Sequence, residues 1–186
     1  MKKSILRNLQ LATLAVALTT TLAFADNVTV VGGEDMFPGK NIIQNAVNSK
    51  DHKTLVAAVK AAGLVDTLQS AGPFTVFAPT DAAFGKLPAG TVDKFVMPDM
   101  KDTLTKVLTY HVVPGKLTFS ELAKKIKAGN GKAELATISG DRLWLMMNGE
   151  HNITLKDAKG NIANISTYDV IQSNGVIHVI DSVLLP

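Results

Sequence analysis

The apolar positions of this chain change period part-way along it. From residue 41 to about residue 130 they recur at helical spacing. Ile42, Ile43, Ala46 and Val47 share one stripe, and Leu55, Ala58, Val59 and Ala62 share the next, with Asp51 placed as the N-cap of the second helix. Gly63 ends that helix, and Leu64 beyond it suits the hydrophobic contact of a Schellman-type cap. Leu64, Val65 and Leu68 predict a shorter helix running up to Gly72. Residues 91–96 predict one or two turns, and Met100, Leu104, Val107 and Leu108 predict a helix that ends at Tyr110. Thr118-Phe119-Ser120-Glu121 has capping-box spacing and opens a helix with Leu122 and Ile126 on its inner face.

From about Ala133 the period becomes two. Leu135/Thr137, Leu143/Leu145/Met147 and Ile153/Leu155 alternate, and Ser139-Gly140, Asn148-Gly149 and Lys159-Gly160 supply the turns between them. Strands are expected over 162–165, 169–172 and 176–180. One further strand lies among the helices. Phe74-Thr75-Val76-Phe77-Ala78 is β-branched and aromatic, Pro73 and Pro79 bound it, and Thr80 or Asp81 is placed to cap a helical turn that returns Phe84 to the core. Helices first and hairpins afterwards predict an α+β domain.

Three segments make the prediction specific: 72–84 with its Gly-Pro-Phe-Thr-Val-Phe-Ala-Pro-Thr-Asp core, Tyr110-His111-Val112-Val113-Pro114-Gly115, and Asn174-Gly175-Val176-Ile177-His178-Val179-Ile180-Asp181. In this order and spacing they resemble the first box, the Tyr-His motif and the second box of the fasciclin (FAS1) family, of the bacterial secreted single-domain type. The resemblance runs from about Asn41 to Pro186. It implies a wedge of two small β-sheets with helices packed along one edge. It also implies a structural role for Thr75, Thr80, Asp81, His178 and Asp181 within the two boxes.

The remaining chain is a leader and a lead. Lys2, Lys3 and Arg7, an apolar run over 11–22 and Ala23-Phe24-Ala25 read as a signal peptide over 1–25, cut after Ala25. The run is shorter than the ~20 residues of a membrane span, and with no cysteine after it a lipoprotein anchor is not expected. Residues 26–40 predict an ordered strap packed by Met36 and Phe37. The chain has 19 Lys and Arg against 16 Asp and Glu; without Lys2, Lys3 and Arg7 the two sets are equal. A formally neutral domain gives no argument for nucleic acid or for an anionic membrane. Export without a single cysteine excludes disulfide staples, so the fold must rest on core burial. The expectation is a bacterial periplasmic or secreted protein with no membrane span after signal removal.

The chemistry expected is sparse. The sequence has no G-x-S-x-G elbow, H-E-x-x-H pair or cysteine nucleophile. Gly129-Asn130-Gly131-Lys132 lacks Walker spacing, because Ile126 stands where the first glycine belongs. His52, His111, His151 and His178 show no metal-ligand spacing. No catalytic residue, metal or cofactor is therefore expected. His178, between apolar neighbours on both faces, reads better as a neutral core imidazole than as a proton switch. In animal matrix relatives the Tyr-His motif is implicated in adhesion, so Tyr110, His111, Val112 and Val113 form one candidate partner surface; the alternative is a helix-to-strand junction with an inward tyrosine. Trp144 and Met146, on the second face of the strand Arg142-Leu143-Trp144-Leu145-Met146-Met147, form another, as an exposed apolar strip, a pocket wall or a partner surface; the alternative is a face covered by another strand or a helix. Two functions follow. One is a non-enzymatic adhesion or interaction module with an unknown protein or surface-glycan partner. The other, a role some fasciclin-like proteins take, is a carrier of an apolar, carotenoid-like small molecule on Trp144, Met146 and Met147.

Overall fold

A computed structural model describes residues 28–186; the signal-peptide assignment and its cleavage point lie outside them. The lead folds as a ribbon of β1 (Thr29–Val31) and β2 (Glu34–Met36). Met36 is buried as expected, but Phe37 is 39 % exposed, with the Lys40 ammonium 4.9 Å from its ring centre. The strap is thus anchored by one of its two expected residues.

Helices α1 (Ile42–Ala46), α2 (Lys53–Ala62) and α3 (Val65–Gln69) follow. The stripe of Leu55, Ala58, Val59 and Ala62 is buried, and Gly63 ends α2 in the left-handed region at φ 73°. There the Leu64 N–H donates back to the Val59 carbonyl at 3.0 Å, the bond expected of a Schellman cap. At its other end the expectation fails: the residue before the helix is His52, and its side chain does not cap. The carboxylate of Asp81, from a different part of the chain, takes that place, accepting from Thr54 N–H at 2.8 Å.

Next come β3 (Phe74–Pro79), α4 (Asp81–Gly85), α5 (Thr91–Phe95), a 3-10 turn over Pro98–Met100, α6 (Lys101–Tyr110), β4 (Val112–Pro114) and α7 (Phe119–Ala128). Thr80 caps α4 by accepting from Ala83 N–H at 3.2 Å. Thr118 and Glu121 form the capping box of α7, which buries Leu122 and Ile126 completely. The turn 129–131 closes α7 through backbone bonds to the carbonyls of Lys125, Ile126 and Lys127. The rest is β5 (Lys132–Ala136), β6 (Arg142–Met147), β7 (Ile153–Lys156), β8 (Ile162–Gln172) and β9 (Gly175–Ile180).

The seven strands β3 to β9 lie in the order β4-β3-β9-β8-β7-β6-β5. The two sequence boxes are direct neighbours, because β3 pairs with β9 in parallel, Phe74 opposite Gly175 through to Pro79 opposite Ile180. Gly175 is required there, since a Cβ would stand 2.1 Å from the Phe74 carbonyl oxygen. All other pairings are antiparallel. The two strands expected at 162–165 and 169–172 are one long strand, β8, whose register slips between Ile165 and Val170. At that slip Asp169 has φ 54°, so β8 bends and is shared by two small sheets. The wedge of two sheets with helices is the observed α+β fold.

The wedge holds two apolar clusters. Helices α1–α4 and α6 pack on one face of β3 and β9 through Leu55, Val59, Leu68, Val76, Leu104 and Ile177. Helix α7 closes the other side over Phe77, Leu143, Leu145, Leu155 and Ile180. Strands β3 and β9 therefore bury both faces, as their continuous apolar sequences require.

Candidate functional site

The Tyr-His motif lies at the joint between α6 and β4, and all four of its residues are buried. The Tyr110 hydroxyl donates to the Arg142 carbonyl at 2.7 Å and accepts from Ala158 N–H at 3.1 Å. Burial pushes its pKa up to about 12. His111 donates from Nδ1 to the Val107 carbonyl at 2.8 Å, and its Nε2 accepts from Leu184 N–H at 3.0 Å. Burial lowers that imidazole to about 4, which keeps it neutral and suited to those two partners. The motif is a clasp joining α6, the start of β6, the β7–β8 turn and the segment after β9. Asp157, which the sequence reading did not single out, completes the clasp by accepting from Leu185 N–H at 2.9 Å. Tyr110, His111, Val112 and Val113 thus do not form a surface, because their polar atoms are consumed in holding the core together.

A second cluster surrounds the segment before α7. His178 is fully buried and stacks on Phe77, ring centres 5.7 Å apart. Its Nε2–H donates to the Leu117 carbonyl at 2.8 Å, while Nδ1 accepts from Asp169 N–H at 3.3 Å. Burial lowers its pKa, so the ring is neutral with both nitrogens partnered. Thr75 is equally buried, donating to the Gly115 carbonyl at 2.6 Å and accepting from Leu117 N–H at 2.9 Å. Asp169 accepts from Phe119 N–H at 2.7 Å, at the first turn of α7. Thr75, His178 and Asp169 together seat α7 on the sheet. Asp169 was missed because only the bend in β8 brings it there.

Asp181 binds Asn164 through both oxygens, at 2.8 and 3.2 Å, with Lys86 3.7 Å away. Partial burial by itself would raise its pKa, but the Asn164 and Ser182 hydrogen bonds and the Lys86 charge hold it below the usual carboxylate value.

Trp144 is half-buried on the outer face of β6. Its indole N–H donates to Glu134 at 3.1 Å, and the Lys132 ammonium lies 5.4 Å from the ring centre. Glu134 also pairs with Arg142 at 2.7 Å. The register places Glu134, Trp144, Lys156 and Ile162 in one row across four strands, and Met146 beside them between Lys132 and Thr154. This face is an aromatic centre ringed by charged side chains rather than a bare apolar strip, and no element among the described residues covers it. Met147 points the other way and packs with the cluster under α7, so it does not share a surface with Trp144.

An apolar cavity of ≈ 70 Å³ lies elsewhere, between the helices and the sheet, lined by Val59, Leu68, Val76, Leu108, Val170 and Ile177 among others. His52 contributes to its wall. That ring is only 3 % exposed; Nδ1 faces the Ser49 hydroxyl at 2.8 Å, while Nε2 has no hydrogen-bond partner. Burial lowers its pKa; the Ala78 backbone favours the charged ring, yet no bond of acceptable geometry joins the two. Among the described residues no group of three or more His, Cys, Asp or Glu is arranged to hold a metal ion, and no helix is long and apolar enough to cross a membrane.

Comparison with known proteins agrees with this architecture. "Protein sll1483" of Synechocystis sp. is 48 % identical over 147 residues, covering 78 % of this chain and 73 % of that protein. "Cell surface glycolipoprotein MPB83" of Mycobacterium bovis is 39 % identical over 123 residues, covering 66 % of this chain and 48 % of its own length. A solved structure of a FAS1 domain pair from the insect cell adhesion molecule Fasciclin I superposes with a TM-score of 0.69 at 23 % identity, over 81 % of this chain and 52 % of that one. The Fasciclin domain profile matches residues 50–186, a span that begins after α1 and takes in both boxes and the Tyr-His clasp. The chain belongs to the fasciclin domain family.

Proposed function

We propose that the protein is a non-enzymatic, exported interaction module that adheres to a protein or glycan of the cell surface or surrounding matrix through the outer face around Trp144. Family membership supports the class, as does a relative named as a cell-surface glycolipoprotein. One observation carries the choice of surface. The Tyr-His motif is sealed inside the domain, whereas Trp144 and Met146 stand half-buried on an open sheet face, with Ile162 44 % exposed in the same row. A half-buried tryptophan costs little ordering entropy on binding and often dominates a small interface. The test is retention of the purified protein on envelope material of its native host. Trp144→Ser should abolish retention and Tyr110→Phe should leave it unchanged at equal folded concentration. The reverse pattern overturns this assignment.

The cavity favours a second reading, a carrier of an apolar small molecule. Its site would lie between the helices and the sheet rather than on Trp144, Met146 and Met147. At ≈ 70 Å³ it is far too small for a carotenoid-like ligand. Purification from the native host with a mass-spectrometric census of bound small molecules tests this reading; a ligand-free protein counts against it.

A further inference from the structure

Around Trp144 the outer face of β5 to β7 carries three cations and one anion: Lys132 and Glu134 on β5, Arg142 on β6 and Lys156 on β7, all exposed. The register sets Trp144 between the two lysines. Lys156 is its direct partner on β7, and Lys132 is the partner of Met146, the next residue of β6 on the same face. The anion is already matched, since Glu134 accepts the indole N–H at 3.1 Å and pairs with Arg142 at 2.7 Å. Among the described residues neither Lys132 nor Lys156 forms an ion pair. The chain as a whole has nearly balanced charges, 19 Lys and Arg against 16 Asp and Glu, so the surplus here is local. Two unmatched cations therefore flank one ring that is held in place through its N–H.

The chemistry of these side chains selects among partners. The cores of protein–protein interfaces are poor in Lys and Glu, the very residues that border this ring. A nucleic-acid backbone suits the lysines but brings no O–H to the Glu134 carboxylate. A sugar acid suits the whole set. Its carboxylate is drawn to an ammonium, its hydroxyls donate to Glu134, and its C–H face lies against the negative face of the indole. The row Glu134, Trp144, Lys156 and Ile162 crosses four strands, about 14 Å at ~4.8 Å per strand, which is room for several linked sugars.

We propose that this face binds an acidic polysaccharide, a chain of uronic-acid sugars, with one sugar ring on Trp144 and carboxylates on Lys132 and Lys156. The inference rests on the surface reading above and narrows its partner from protein or glycan to one glycan chemistry. Arg142 and Glu134 hold the indole in position, and the two lysines supply the charge that selects an acidic chain over a neutral one.

The experiment is a titration of the purified protein followed through Trp144, the only tryptophan in the chain. The probes are hexamers of galacturonate and of mannuronate, the methyl ester of the first, a neutral dextran oligomer, a poly-glutamate peptide and an oligothymidylate. At least one uronate hexamer should bind and change the emission, because the Lys132 ammonium that receives a carboxylate lies 5.4 Å from the ring centre. Esterification should weaken binding at least tenfold, dextran should not bind, and added salt should weaken the uronate. Lys132→Gln and Lys156→Gln should each weaken it severalfold, and Trp144→Ser should abolish it; if the tryptophan variant does not fold, the two lysine variants still decide. Poly-glutamate or oligothymidylate binding as tightly as the uronates overturns the inference in favour of a protein or nucleic-acid partner. Failure of both uronates also overturns it, and the surface reading then stands if retention on host envelope still depends on Trp144. Retention that ignores Trp144, with both uronates failing, overturns both.

Discussion

Asp81 caps a helix that starts well before it in the chain: its Oδ1 accepts from Thr54 N–H at 2.8 Å and its Oδ2 from Lys53 N–H at 3.3 Å. Its own N–H donates to the Asp51 carbonyl at 2.7 Å, so the α4 turn and the α2 start are stitched in both directions. The negative charge also lies at the positive end of α2.

Asp81→Ala should therefore cost about 0.5–2 kcal/mol, as loss of an N-cap does. Asp81→Asn keeps one acceptor, for Thr54 N–H, and loses the charge, worth roughly 0.3–1 kcal/mol, together with the longer bond from Lys53 N–H, so its loss should be the smaller of the two. Urea denaturation of the two variants measures the difference. No loss in Asp81→Ala would show that α2 holds its end without the carboxylate.

His178→Ala should cost more than its packing, because it strips partners from the Leu117 carbonyl and the Asp169 N–H at once. An unmatched buried group adds about 1–3 kcal/mol to the cavity term. The start of α7 should loosen first, so amide exchange at Phe119 and Ser120 is the sharper readout. Exchange unchanged there, with stability lost evenly, would mean the network does not position α7.

Stability should fall as the solution is acidified from neutrality. His52, His111 and His178 are all held below the ordinary value by burial, His111 at about 4. In the unfolded chain they take up protons near 6.5. Between those values the unfolded state binds more protons than the native state, so stability present above about pH 6.5 is lost progressively down to about pH 4. His111 alone accounts for roughly 3 kcal/mol, at 1.36 kcal/mol per unit. Urea midpoints at several pH values across this window check the slope; a flat profile would contradict neutral, buried rings.

Trp144→Ser should cost only about 0.2–1 kcal/mol, the worth of a cross-strand pair. Because Lys132 and Glu134 border the ring, its emission should fall between those of exposed and core tryptophan, and acrylamide should quench it. Blue-shifted, shielded emission with a loss of several kcal/mol would place the ring in the core and withdraw it as a contact surface.

What was legible in the sequence was local. Gly63 with Leu64, and Thr118 with Glu121, announce helix ends because their bonding partners lie within a few residues. Alternation separated Leu143 and Leu145 from Trp144 without any tertiary information. What escaped depends on contacts across the chain. Asp51 was the nearest plausible cap for α2, but the carboxylate that arrives belongs to Asp81. The break expected in β8 is a bend, kept because Asp169 reaches Phe119 fifty residues away. A tyrosine can face water or the core; the Arg142 carbonyl and Ala158 N–H decided for Tyr110, and neither is near it in sequence. His52 was passed over for the same reason, since nothing local reveals an unmatched ring nitrogen.

The parallel pairing of β3 with β9 also fixes when this protein can fold. Phe74 meets Gly175 across a closed loop of about one hundred residues, and β9 lies inside the sheet with β3 on one side and β8 on the other. Until that segment is present a growing chain has nothing to join the β4–β3 pair to the β8–β7–β6–β5 hairpins, so the two halves of the sheet stay apart. Such long-range closure slows folding relative to local hairpins. Completion of the sheet thereby becomes a late step that waits for the last segment of the chain.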